Sequence, residues 1–226
     1  MKHPQIPLPF RLQEAFNFDN FIAADNQLIT QSLQTLDQPF VFLWGDEGTG
    51  KTHLLQATCQ LQTQLGTTAS YLPFKELITL SSDILDGMAN VDLICIDDIH
   101  LAFGNAEWEE ALFNLFNQIK QASGRLVVSS TLSPQQSSIQ LNDLKSRLNS
   151  GLALNLASLN DESTIQAMQA RAFQLGLELN RDTANYILTR FPRNLSTLWN
   201  LLAQLDHASL AAQRKLTIPF VKSTLL

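Results

Sequence analysis

The run Gly45-Asp46-Glu47-Gly48-Thr49-Gly50-Lys51-Thr52 has the spacing G-x-x-x-x-G-K-T. That pattern is built for phosphate. Its glycines let successive backbone N–H groups turn inward on an anion. Lys51 supplies a point charge for β- and γ-phosphates, and the Thr52 hydroxyl is a ligand for Mg²⁺. A second acidic element follows. Asp97-Asp98 closes the apolar run Leu93-Ile94-Cys95-Ile96. Asp97 at that strand end would hold Mg²⁺, partly through water, and Asp98 would orient an attacking water or take its proton. Ser129-Ser130-Thr131 ends another apolar run. A hydroxyl there could bond a γ-phosphate or the water, or be ordinary loop polarity.

These residues need a frame. Phe40-Val41-Phe42-Leu43-Trp44 is too short for a helix and rich in aromatic and branched residues, so it reads as a buried strand. A helix from Lys51 to Leu65, closed by Gly66, would aim its N-terminal dipole at the loop. Further strands are expected at 70–72, 91–96, 126–128 and 152–154. Trp108, Ala111, Leu112, Leu115, Phe116 and Ile119 recur at helical spacing and predict a helix over 107–122. Strands alternating with helices imply a parallel sheet covered on both faces. After Leu159 the pattern is helical, with Leu195, Leu198, Leu201, Leu202 and Leu205 on one stripe. The expected organisation is an extended tail over 1–12, an α/β base over 13–159 and an all-helical unit over 160–226.

Composition narrows the partners. Fifteen Lys and Arg stand against 21 Asp and Glu, a net charge of -6. That disfavours a protein whose main work is gripping nucleic-acid backbone. Cys59 and Cys95 lack a Cys or His at metal-ligand spacing and read as buried reduced thiols. No window has signal-peptide or membrane-span character, so a cytoplasmic protein without membrane contact is expected. His53, His100, Trp44 and Trp108 read as packing residues.

Taken together, GKTHLL (50–55), CIDDIH (95–100), LKSRL (144–148) and the helical end resemble the AAA+ nucleotide-binding core of the bacterial replication initiator DnaA. FDNFIAADNQL (18–28) is similar to the segment that opens that core. The resemblance implies an α/β fold: a P-loop AAA+ core with a parallel sheet flanked by helices, then a small all-helical lid. It implies ADP or ATP with Mg²⁺ as cofactors, held by Gly45, Asp46, Glu47, Gly48, Thr49, Gly50, Lys51, Thr52 and Asp97, with the metal on Thr52 and Asp97. It places Thr131 on the first sensor and Arg147 on the arginine finger, which reaches into a neighbouring subunit's nucleotide site.

Ser196 falls where the lid of this family carries a phosphate-contacting arginine, with Arg190 and Arg193 nearby. A serine delivers no charge, so slow intrinsic hydrolysis is expected, with nucleotide kept as a structural ligand, ADP. The initiator's C-terminal DNA-binding domain and N-terminal domain have no counterpart here, so the expectation is a core without direct origin recognition.

The tail Gln5-Ile6-Pro7-Leu8-Pro9-Phe10 remains. Its prolines keep it extended. It is either a strap across the domain or a peptide for another protein's pocket. A DnaA-like core preceded by this tail resembles the Hda branch, the regulatory inactivators of DnaA. That likeness implies docking of Gln5, Leu8 and Phe10 on the DNA polymerase sliding clamp, contact with DNA only through the clamp, and DnaA as the partner whose ATP hydrolysis Arg147 stimulates. Because AAA+ cores favour self-association, a homodimer that buries Arg147 or the tail stays open as an alternative. Two other activities share such a core: a helicase loader and a single-strand-DNA-dependent ATPase.

Overall fold

The computed structural model describes residues 16–212 and 215–225. The tail residues Gln5, Leu8 and Phe10 lie outside the described residues. Two compact units are present. One comprises residues 16–21, 28–45 and 51–156. The other comprises 22–27, 46–50 and the described residues from 157 onward.

The first unit holds five strands, β1 (Phe40–Trp44), β2 (Ala69–Pro73), β3 (Leu93–Asp97), β4 (Arg125–Ser130) and β5 (Leu152–Asn155). They form one parallel sheet in the order β2-β3-β4-β1-β5. Its helices are α1 (Gln27–Thr35), which begins at the unit boundary, α2 (Lys51–Gln64), α3 (Phe74–Leu77), α4 (Ala106–Gln121) and α5 (Asn142–Asn149).

Interior strands of such a sheet are buried on both faces, which is why β1, residues 93–96 of β3 and residues 126–128 of β4 read as unbroken apolar runs. Successive side chains still alternate between the faces. Phe40, Phe42, Ile94, Ile96, Leu126 and Val128 pack on one side with Phe74, Leu77, Trp108, Leu112, Leu115, Leu144 and Leu148. Val41, Leu43, Cys95 and Val127 pack on the other with Ile29, Leu33, Leu54, Leu55 and Cys59. Each fully buried Leu, Ile or Phe stabilises the layers by about 1.5–3 kcal/mol. Parallel pairing brings every strand's C-terminal end to one edge, so Trp44, Asp97 and Ser130 finish together there.

The second unit is helical. It contains α6 (Asp161–Gln174), α7 (Arg181–Arg190), α8 (Leu195–Ala212) and α9 (Ile218–Leu225). Asn160 caps α6 through Ser163 N–H, and Asn180 caps α7 through Thr183 N–H. The leucine stripe of α8 supplies Leu198, Leu202 and Leu205 to a core with Met168, Ile187 and Val221. Asn26 ties the preceding segment to the same unit by exchanging two hydrogen bonds with the Ala157 backbone, at 2.9 and 3.0 Å.

Candidate functional site: a phosphate loop and a hydroxyl-bound carboxylate

Gly45 follows β1 directly. Its N–H donates to Ser130 O at 3.2 Å, and a Cβ on it would lie 2.5 Å from the Leu156 carbonyl oxygen. Only a glycine passes there. Lys51, almost fully buried, opens α2 and donates from Nζ to Gly45 O at 2.8 Å. The carbonyl holds the ammonium at the loop's neck, where a phosphate oxygen could replace it.

Residues 46–50 belong to the other unit and have their own geometry. Thr49 N–H and Oγ1 both donate to Asp46 O, at 3.4 and 2.9 Å. Gly48 has φ +79°, and a Cβ on it would meet Leu195 N at 3.2 Å. The loop thus lies directly against the first residue of α8.

Asp97 is the centre of the base's polar site. Its side chain is buried and accepts from three hydroxyls. Thr52 Oγ1 reaches Oδ2 at 2.7 Å, Tyr71 Oη reaches the same oxygen at 2.8 Å, and Ser129 Oγ donates to Oδ1. Ser129 Oγ also accepts the Asp98 N–H at 2.9 Å. One buried hydroxyl therefore locks both aspartates. Burial, with the Asp97 charge beside it, pushes the Tyr71 phenol far above its ordinary value, so it stays a donor. Thr52 and Asp97 offer the hard oxygens that Mg²⁺ takes when phosphates and water supply the rest. The donor set fits that ion. Among the described residues there is no cluster of three His, Cys, Asp or Glu side chains that would form an all-protein metal site.

Asp98 sits in the left-handed region, φ 56° and ψ 43°. Its carboxylate pairs with Lys75 Nζ at 3.2 Å. His100 follows; its Nδ1 accepts the Thr131 N–H at 3.4 Å. Burial pushes His100 below the usual histidine value, the Asp98 charge partly opposing, so the neutral ring is the form that accepts.

His53, next to Thr52, is structural. It stacks on Phe16 at 4.9 Å and meets Phe21 edge-on at 5.2 Å. Its Nε2 donates to Asn17 O at 2.7 Å, and burial holds its pKa down against that bond.

Of the residues singled out from sequence, hydrogen bonds link Gly45 to Lys51 and Thr52 to Asp97. Asp98 adjoins them through Ser129. Thr131 lies one residue past β4 and touches the group through its backbone. Arg147 stands apart, half-buried on α5, and its guanidinium has no hydrogen-bond or ion-pair partner among the described residues. Ser196 is exposed on α8. The two nearby arginines are engaged elsewhere: Arg193 pairs with Asp161 at 2.8 Å, and Arg190 lies over the Tyr186 ring.

Comparison with known proteins gives this site its family. Residues 12–155 match the bacterial DnaA ATPase domain, and residues 161–225 match the family described as Hda, lid domain. The chain belongs to the bacterial DnaA ATPase-domain family. It is a DnaA-related AAA+ protein with an Hda-type lid, and its kind is a replication regulator. An uncharacterized protein of Haemophilus influenzae is 43% identical to it over 98% of both chains. Domain III of the Thermotoga maritima replication initiation protein DnaA superposes with TM-score 0.84 at 21% identity, covering 96% of this chain and 98% of that one. AMPPCP-bound DnaA from Aquifex aeolicus gives 0.71 at 22% identity, over 85% of this chain and 65% of that one. Thermotoga maritima RuvB, the Holliday junction branch migration motor, shares the fold with TM-score 0.70 at 18% identity, over 93% of this chain and 71% of that one. No helix among the described residues is long and apolar enough to cross a membrane.

Tyr71 and Glu109 escaped the sequence reading. Tyr71 faces Cys95 across the β2–β3 ladder, so its ring extends toward Asp97 two residues further on. Alternation within a five-residue strand marks the tyrosine's face but not what its hydroxyl meets. Glu109 did leave a signal. It shares the helical stripe of Leu112 and Phe116, where an acid is out of place.

Proposed function

We propose that this protein binds an adenine nucleotide with Mg²⁺ and acts chiefly as an activator of ATP hydrolysis by DnaA, turning it to the ADP form and restraining further initiation. Gly45, Lys51 and the loop amides bind and orient phosphates, and Thr52 and Asp97 would hold the ion. Mg²⁺, when bound, neutralises charge on the β- and γ-oxygens. Asp98 orients the attacking water, and Ser196 carries no charge where the family's lid carries an arginine, so intrinsic turnover is slow. The tail residues Gln5, Leu8 and Phe10 dock on the sliding clamp, which concentrates the protein on replicated DNA. Contact with DNA is then indirect, in the cytoplasm.

The observation that carries this reading is Arg147. A half-exposed guanidinium on a helix, without a carboxylate partner among the described residues, is free to enter a neighbour's nucleotide site. There it would stabilise charge on the transferring phosphoryl group, an effect worth roughly 10³–10⁵ in rate where such fingers act. The test is phosphate release from ATP-loaded DnaA with clamp-loaded DNA. Wild-type protein should accelerate it, and Arg147→Ala should bind the clamp normally yet give no acceleration. Full acceleration by Arg147→Ala would remove the finger from the mechanism.

A further inference from the structure

Glu109 is among the most deeply buried acids in the described chain, 1% exposed, and no step above uses it. It stands in the first turn of α4. Its carboxylate accepts Gly104 N–H at 2.7 Å, Leu141 N–H at 2.7 Å, and Gln140 N–H at 3.1 Å and 3.0 Å on its two oxygens. Gln140 closes the ring by donating from Nε2 to Gly104 O at 3.4 Å. An ionised carboxylate takes about four donors, so this one is satisfied almost entirely by backbone amides.

What it grips is the start of α5. Leu141 is the N-cap of that helix and has no side-chain oxygen to cap it. Its carbonyl accepts the first helical bond, from Lys145 N–H at 3.0 Å, while its own N–H goes to Glu109. The helix is only eight residues long and buries just Leu144 and Leu148. Two leucines set its depth in the core. They leave its rotation and its shift along the axis weakly fixed. Arg147 lies on the same helix, between the two leucines in sequence.

We infer that Glu109 is the positioning residue for Arg147: its carboxylate clasps the Gln140–Leu141 backbone and sets where α5 presents the guanidinium. This rests on the finger reading above. A finger works only within a narrow geometry, and a displacement of about 1 Å can cost roughly 100-fold in rate. The clasp acts on a rigid element at its root, so a small loss there moves the charge at the tip.

The test compares Glu109→Gln, Glu109→Asp and Arg147→Ala in the full-length protein. Three readouts are taken: acceleration of ATP hydrolysis by DnaA at saturation, the concentration giving half of it, and ADP affinity. Glu109→Gln replaces an acceptor oxygen with an NH₂ that faces amide donors. Glu109→Asp keeps the charge and shortens the arm by one methylene, which guards against a variant that fails to fold. The expected result is a drop of tenfold or more, up to roughly 100-fold, in saturating acceleration. Half-saturation and ADP affinity should stay within about twofold, a split that general unfolding does not produce. Hydrogen exchange should quicken at Gly104, Gln140, Leu141 and through 142–149, and remain unchanged in α6 and α7. Arg147→Ala separates the two ideas. If it accelerates fully, the finger reading fails. If it is dead while both Glu109 variants accelerate like wild type, or if acceleration and ADP affinity fall together, the positioning role is overturned.

Discussion

Replacing Ser129 by alanine should be one of the most costly single-atom deletions in the base. The side chain is fully buried and its one oxygen serves two aspartates. Removing it takes a donor from the Asp97 carboxylate, a charged bond worth about 1.5–3 kcal/mol, and strips the Asp98 N–H of its acceptor, about 1–3 kcal/mol. The two losses share an atom and do not add, so we expect about 3 kcal/mol. For a chain of this length that is a melting temperature lower by roughly 6–12 °C. The right control is Ser130→Ala. Ser130 is as buried, but its hydroxyl only accepts Leu132 N–H at 2.9 Å, so about 1 kcal/mol is expected there. Urea denaturation followed by tryptophan fluorescence measures both. The reasoning is refuted if Ser129→Ala lies within about 0.5 kcal/mol of wild type, the range of ordinary surface changes. It is equally refuted if Ser129→Ala is no worse than Ser130→Ala.

Other expectations follow from the same geometry. Lys51→Ala should lose the stabilisation that ADP confers on the wild type, about 2.7 kcal/mol at ligand a hundredfold above Kd, while melting near the wild-type temperature without nucleotide; thermal shift with and without Mg-ADP decides it. His53 is held below its ordinary value of 6.5 by burial, so the unfolded chain takes up a proton the folded state resists. Its contribution is intact above about pH 6.5 and is lost as pH falls through that value toward the lower folded pKa. His53→Phe keeps the stack on Phe16 and should flatten the fall in melting temperature between pH 7 and pH 5. Parallel profiles for the two proteins would contradict the assignment.

The base was legible because its signals are redundant. A glycine-lysine loop between an apolar run and a helix admits few folds, and period-two alternation in FVFLW and LICID names the two layers. The α8 stripe likewise placed Leu198, Leu202 and Leu205 in the lid core. What could not be read is where a polar side chain finds its partner across the chain. Ser129 was one of three hydroxyl residues in a row, and no local pattern says which meets a carboxylate 32 positions away in sequence. The same holds for Lys75 on Asp98. The left-handed backbone of Asp98 was also silent, since aspartate is among the few residues that enter that region without announcing it.

The strand order has a consequence for how this protein comes into being. β1 lies between β4 and β5, with Phe40 opposite Leu126 and Val41 opposite Leu152. It is the first strand synthesised and the last to be flanked. From its emergence until β4 follows, on the order of ten seconds at ordinary translation rates, neither hydrogen-bonding edge has its native strand, and the edge that takes β5 stays open until residue 152 is made. The nascent chain therefore carries an apolar strand with unpaired edges for much of its synthesis, and the phosphate loop that hangs from β1 is framed only when the base is complete. Chaperone occupancy on stalled chains should peak before residue 125 and fall after residue 155.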